Sequence, residues 1–145
     1  MATFTKIFIL KTDILTLDLL ENFLPNIKIN EDTNYFYIHI SEDDVDFHDV
    51  YERMIYAVSE KLNCEVIWLF SQTTIGAVSY IHVKDGLLKR KLLWGCIEAH
   101  QWNVIEGEPE QWENDYSDKT FKLGEFYPVL SASFLSQYYN LPYKY

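Results

Sequence analysis

The sequence predicts an α+β protein: a mostly antiparallel sheet of about five or six strands, with two or three helices packed mainly on one face. Three observations carry this. Residues 65–106 divide into short runs that are either apolar throughout or alternate with period two, and Asp85-Gly86 separates two of the alternating runs. The segment from Phe47 to Leu62 instead places apolar residues at three- and four-residue steps. The resulting order, β-α-β-α-β-β-β-β-α, suits an antiparallel sheet with its helices on one side.

The elements follow in order. Thr3 to Lys11 (TFTKIFILK) is rich in Phe and Ile and reads as the first strand. Asp13 or Thr16 can cap a short helix with Leu17, Leu20 and Leu24 on one stripe, ended by Pro25. Asn34 to Ile40 is a strand with Phe36, Ile38 and Ile40 on one face and Tyr35, Tyr37 and His39 on the other. Ser41 opens the clearest helix, in which Phe47, Val50, Tyr51, Met54, Ala57, Val58 and Leu62 form the apolar stripe and Asn63 is the expected C-cap. Glu65 to Ser71 is apolar on both faces, as a central strand is. Thr74 to Lys84 and Leu87 to Cys96 flank the Asp85-Gly86 turn. Glu98 to Glu106 is the next strand, closed by Gly107 and Pro109. One helical turn is expected at Pro109–Glu113 and a last helix at Phe134–Tyr139. At 145 residues, with no internal repeat and no linker, residues 1–145 read as a single globular domain.

Charge is the more distinctive feature. The chain carries 22 acids against 12 bases, a net −10. Ser41 to Asp49 holds Glu42, Asp43, Asp44, Asp46 and Asp49 and no base. Glu106 to Asp118 holds Glu106, Glu108, Glu110, Glu113, Asp115 and Asp118 and no base. Outside these two stretches acids and bases nearly cancel. Such a distribution repels phosphate backbones, so nucleic acid is not an expected partner. Acids at a helix start interact well with the helix dipole, which accounts for part of the first stretch but not for the second.

No apolar run is long enough for a membrane-spanning helix, and the first ten residues lack the features of a signal peptide. Cys64 and Cys96 are too few for a disulfide framework; both are expected as buried, reduced thiols in a cytoplasmic protein. No glycine-rich phosphate loop or nucleophile elbow exists. Asp43-Asp44-Val45-Asp46 lacks the glycine and the distal Glu of a calcium loop. His39, His48, His82 and His100 show no ligand spacing, and Glu65 and Glu98 read as strand-end carboxylates rather than catalytic acids. No cofactor, metal site or catalytic residue is therefore expected. Lys89-Arg90-Lys91 reads as protection of a sheet edge.

These readings favour a non-catalytic, protein-binding module whose partner is basic. Acidic immunity proteins neutralise basic toxins in that manner, a comparison that rests on charge alone. The chain holds eleven Tyr, nine Phe and four Trp, and aromatic rings interleave with the second acidic stretch. The expected contact residues are Glu108, Glu110, Trp112, Glu113, Asp115 and Tyr116. The alternative is a small-molecule binder or enzyme with an aromatic-lined pocket built from Tyr37, His39, Tyr80 and His82. Self-association through exposed sheet edges, giving a homo-oligomer, is a third reading.

Overall fold

The computed structural model describes residues 3–40, 48–72 and 76–113. Its elements are β1 (Thr3–Leu10), α1 (Leu17–Phe23), β2 (Asn30–Glu31), β3 (Tyr35–His39), α2 (His48–Lys61), β4 (Glu65–Gln72), β5 (Ala77–Lys84), β6 (Leu87–Trp94) and β7 (Trp102–Gly107). The fold is α+β, with a seven-stranded antiparallel sheet in the order β2-β3-β1-β4-β5-β6-β7. One strand more than the upper expectation is present, because the two-residue β2 is too short to leave a pattern in the sequence. The helix cap at Ser41, most of the first acidic stretch and the helix expected at Phe134–Tyr139 lie outside the described residues.

The residues group into two compact units. One takes Thr5–Trp68 and His82–Lys89. In it, β1 pairs antiparallel with β3, Ile7 opposite Ile38 and Ile9 opposite Phe36. Thr16 starts α1: its hydroxyl accepts from the Leu19 amide at 3.2 Å, a cap worth about 1 kcal/mol. Leu20 and Leu24 are buried on the predicted stripe. In α2 Val58 of the expected stripe is buried, as is Ile55, which lies beside it, whereas Val50 of the stripe is 52% exposed. The helix ends as its sequence requires: Asn63 takes a positive φ of 48°, and the Cys64 amide reaches back to the Ser59 carbonyl at 3.1 Å in the manner of a Schellman cap. Asp85 and Gly86 have φ of 52° and 78°, the two positive values that a type I′ hairpin turn needs. The Gly86 amide donates to the Ser59 hydroxyl at 2.9 Å, which itself donates to the Cys64 carbonyl at 2.7 Å.

The other unit takes the described residues up to Phe4, Leu69–Ile81 and the described residues from Arg90 onward. Here β6 pairs antiparallel with β7, from Arg90 opposite Gly107 to Trp94 opposite Trp102. The expected strand at Glu98 begins later, at Trp102. Residues 95–101 form a loop instead, closed by the Gly95 amide on the Gln101 carbonyl at 3.0 Å. Cys96 is likewise displaced from its expected place: it follows β6 and is exposed, although its sulfur lies against the Val78 and Trp94 carbonyls at 3.4 and 3.5 Å.

Burial separates centre from edge. Seven of the eight residues of β5, and six of β4, are buried in sequence; the central strands are thus covered on both faces. The alternating sequence of β5 would by itself suit one wet face. Tyr80 and His82 are buried there because each polar tip meets a carboxylate, of Glu110 and Glu65 respectively.

Two buried groups run against this economy. The hydroxyls of Ser71 and Ser79 have no hydrogen-bond partner among the described residues. An unpaired buried hydroxyl costs about 1–3 kcal/mol of desolvation, and alanine removes it while losing little volume. Ser79→Ala is expected to leave stability unchanged or raise it by up to about 1 kcal/mol. Urea unfolding checks this, and a clear loss of stability would reveal a partner for the hydroxyl.

Candidate functional site

The second acidic stretch does not lie out in solvent as a continuous strip. Trp112 and Glu113 are only 1% and 2% exposed. Residues 111–113 form the helical turn expected near Pro109. Glu113 folds its carboxylate back onto the Glu110 amide at 2.6 Å, while the Glu113 amide donates to the Glu110 carbonyl at 3.0 Å. Within reach of the same carboxylate is Arg90, itself buried. The guanidinium meets Glu113 in a fork, Nε to Oε2 at 3.1 Å and Nη2 to Oε1 at 2.6 Å. Its Nη1 donates to the Gly107 carbonyl at 2.6 Å and lies 3.5 Å from the Glu106 carbonyl. Glu110 Oε1 accepts from the Tyr80 hydroxyl at 2.6 Å and the Trp112 indole at 3.2 Å, and the two rings pack edge to face at 5.4 Å.

Of the expected contact residues, then, Trp112 and Glu113 are internal, Glu110 is half-buried and bonded inward, and Glu108 is exposed. Asp115 and Tyr116 lie outside the described residues. The reason is pairing: a buried Arg requires a carboxylate, and two ring polar atoms require acceptors, so these acids face inward. Arg90 was the missed member. Its signal was its place on the same side of β6 as Leu88, Leu92 and Trp94, away from Lys89 and Lys91.

The four residues of the alternative pocket do not converge. Tyr37 and His39 are on β3, and His82 is on β5 with β1 and β4 between, a separation of about 14 Å at the usual strand spacing. Tyr37 stacks near Phe8 with Lys6 over its ring at 5.1 Å. His39 is exposed. His82 Nε2 lies 2.5 Å from Glu65 Oε2. Tyr80 belongs to the Glu110 and Trp112 cluster of the other unit. Among the described residues no group of three or more His, Cys, Asp or Glu side chains is placed to hold a metal. A shallow groove of about 170 Å³ lies between Ile14, Leu15, Leu19, Lys61, Leu62 and Asn63. It is lined chiefly by aliphatic groups and holds no pair of side chains suited to acid–base work.

No family model, curated protein or solved structure matches the chain. The candidate site therefore rests on which side chains are presented outward, and β7 with its preceding loop presents the most coherent set. Between Leu93 and Trp94 the register of β6 on β7 shifts, leaving Asn103 as the extra residue of a bulge. Its side chain turns to the loop: Oδ1 accepts from the Cys96 and Ile97 amides, each at 2.8 Å, and Nδ2 donates to the Glu98 carbonyl at 3.1 Å. The loop so held carries Ile97 with 74% of its surface exposed. Trp94 and Trp102 pack edge to face at 5.3 Å and are half-buried. Further along β7, Ile105 is 45% exposed, and Glu98, Glu106 and Glu108 are exposed. From Gly95 to Glu113 the sequence has no Lys or Arg.

Burial, and secondarily the Asp85 charge, push the Cys64 thiol up from 9.0 to about 12. Burial pushes Cys96 up to about 11, partly opposed by backbone hydrogen bonding at Trp94 and Val78. The thiolate is the reacting form, so Cys64, which is buried, is expected to resist a disulfide reagent at pH 8 in the folded protein and to react promptly in denaturant. An unfolded thiol ionises near 9 while the folded ones stay protonated, so the native state holds more protons above that pH. Stability is consequently expected to fall as pH rises from about 9 toward 12. Thiol titration and pH-dependent unfolding check the two halves.

Proposed function

We propose that this protein is a non-catalytic binding module for a basic protein, with β7 and the 95–101 loop as its contact surface. The observation that supports the reading most directly is the coincidence, on one strand and its loop, of outward aliphatic groups (Ile97 and Ile105) with outward carboxylates (Glu98, Glu106 and Glu108) and no Lys or Arg between Gly95 and Glu113. Apolar anchors rimmed by one sign of charge are the ordinary anatomy of a recognition surface: the anchors supply affinity and the charges supply encounter rate and selectivity. Free Cys64 and Cys96 suit a reducing, cytoplasmic setting.

The test is comparative capture from the protein's own cells, using the wild type and Ile97→Asp, Ile105→Asp and Glu106→Lys variants. A basic protein retained by the wild type and lost from the three variants is the expected result. Identical captured sets would remove this surface from the reading. Because all three positions are exposed, each variant is expected to keep its unfolding midpoint within about 0.5 kcal/mol of the wild type.

A further inference from the structure

We propose that β7 is an open docking edge to which a cationic, extended peptide segment of the partner adds as a further strand of the sheet. This rests on the binding reading above and specifies its geometry. β7 ends the sheet order, with β6 on one side and no described strand on the other. From Val104 to Gly107 its pairing with β6 is regular. Alternate residues of such a strand turn their N–H and C=O groups to the open side, where they form a template for another chain.

Both ends of that template are fixed by side chains. At the start, Asn103 holds the loop through three hydrogen bonds. At the finish, Arg90 takes the Gly107 carbonyl, and Arg90 is itself locked by Glu113. A strand held in this way loses little freedom on accepting a neighbour, which lowers the entropic cost of docking. The sheet's opposite edge differs: β2 has two residues, too few to guide a partner strand.

Charge selects the occupant. Edge strands are commonly defended by Lys or Pro, and β7 contains neither. Its guard is acidic instead. Lys91 lies opposite Glu106 across the ladder and partly offsets it, so Glu98 and Glu108 carry much of the local field. A second copy of this chain would bring another −10 to the contact and is repelled, whereas a segment with Lys or Arg at alternate positions is attracted. Ile105 and Ile97 are exposed beside the same edge and give the segment's apolar residues a footing.

The test uses synthetic heptapeptides that alternate lysine with valine, added to the full chain and followed by amide exchange. The lysine peptide is expected to slow exchange of outward amides among Val104–Gly107 by about tenfold or more. N-methylation of one alternating set of its amides is expected to abolish this, while the other set is tolerated. A glutamate-for-lysine peptide is expected to leave the wild type unprotected and to protect the Glu106→Lys/Glu108→Lys variant. Binding that survives N-methylation of either set, or no protection of any β7 amide, overturns strand addition; a concentration-dependent dimer in sedimentation with β7 protected overturns the cationic segment as its occupant. Each of these leaves the capture comparison with Ile97→Asp standing, so failure of the docking mode is distinguished from failure of the binding surface.

Discussion

Glu113→Gln is expected to cost about 3–5 kcal/mol, the loss typical of breaking a buried ion pair from one side. The exchange keeps size and shape but leaves the Arg90 guanidinium, buried and forked onto Glu113, without a counter-charge. It also turns an amide group toward donors where only acceptors serve. Removing both partners is a different matter. Arg90→Met with Glu113→Leu leaves no stranded charge and is expected to recover most of the loss, since well-packed apolar pairs often replace buried ion pairs at little cost. Urea unfolding of the two single variants and the double one decides it. A double variant as unstable as Glu113→Gln would show that the loss comes from the missing pair interactions themselves and not from a stranded charge.

Trp112→Ala is expected to cost a similar amount, about 3–5 kcal/mol. The ring is the bulkiest of the fully buried side chains, packs on Tyr80 and donates to Glu110. Trp112→Phe retains an aromatic body but strands part of the Glu110 acceptor, for a smaller loss of about 1–2 kcal/mol. Tyr80→Phe removes the other donor to the same oxygen. The two substitutions share one acceptor and one ring contact, so their effects should not add, and a double-variant cycle is expected to show about 0.5–1.5 kcal/mol of coupling. Strict additivity would mean that the cluster is a set of independent contacts.

These two predictions concern residues whose role the sequence reading placed at the surface, and the contrast shows what local pattern can and cannot reveal. Helix α2 and the β5–β6 turn were legible because their signals are short-ranged: the three- and four-residue steps that include buried Val58, though not its equally buried neighbour Ile55, and the Asp-Gly pair that takes two positive φ values. The antiparallel α+β class followed from the same periodicities. The Arg90–Glu113 pair spans 23 positions, and no spacing rule connects them. An acid in a base-free run looks like solvated charge until a buried cation is known to need it. Asn103 was illegible for another reason: a bulge is a property of two strands in register, and only one strand is visible at a time in a sequence. What could be read near the site was its composition, carboxylates mixed with rings from Trp102 to Glu113. The direction in which each side chain turns was set by distant partners.

The β5–β6 turn has a practical consequence for anyone engineering this chain. Two-residue turns with exposed Asp are favoured places for grafting epitopes or fluorescent labels. This one is a poor choice. A Cβ at Gly86 would come within 2.8 Å of Glu60 Cβ, and the Gly86 amide is clasped by Ser59. Any longer connection there would unfasten the end of α2 from the hairpin, so foreign sequence is better carried elsewhere.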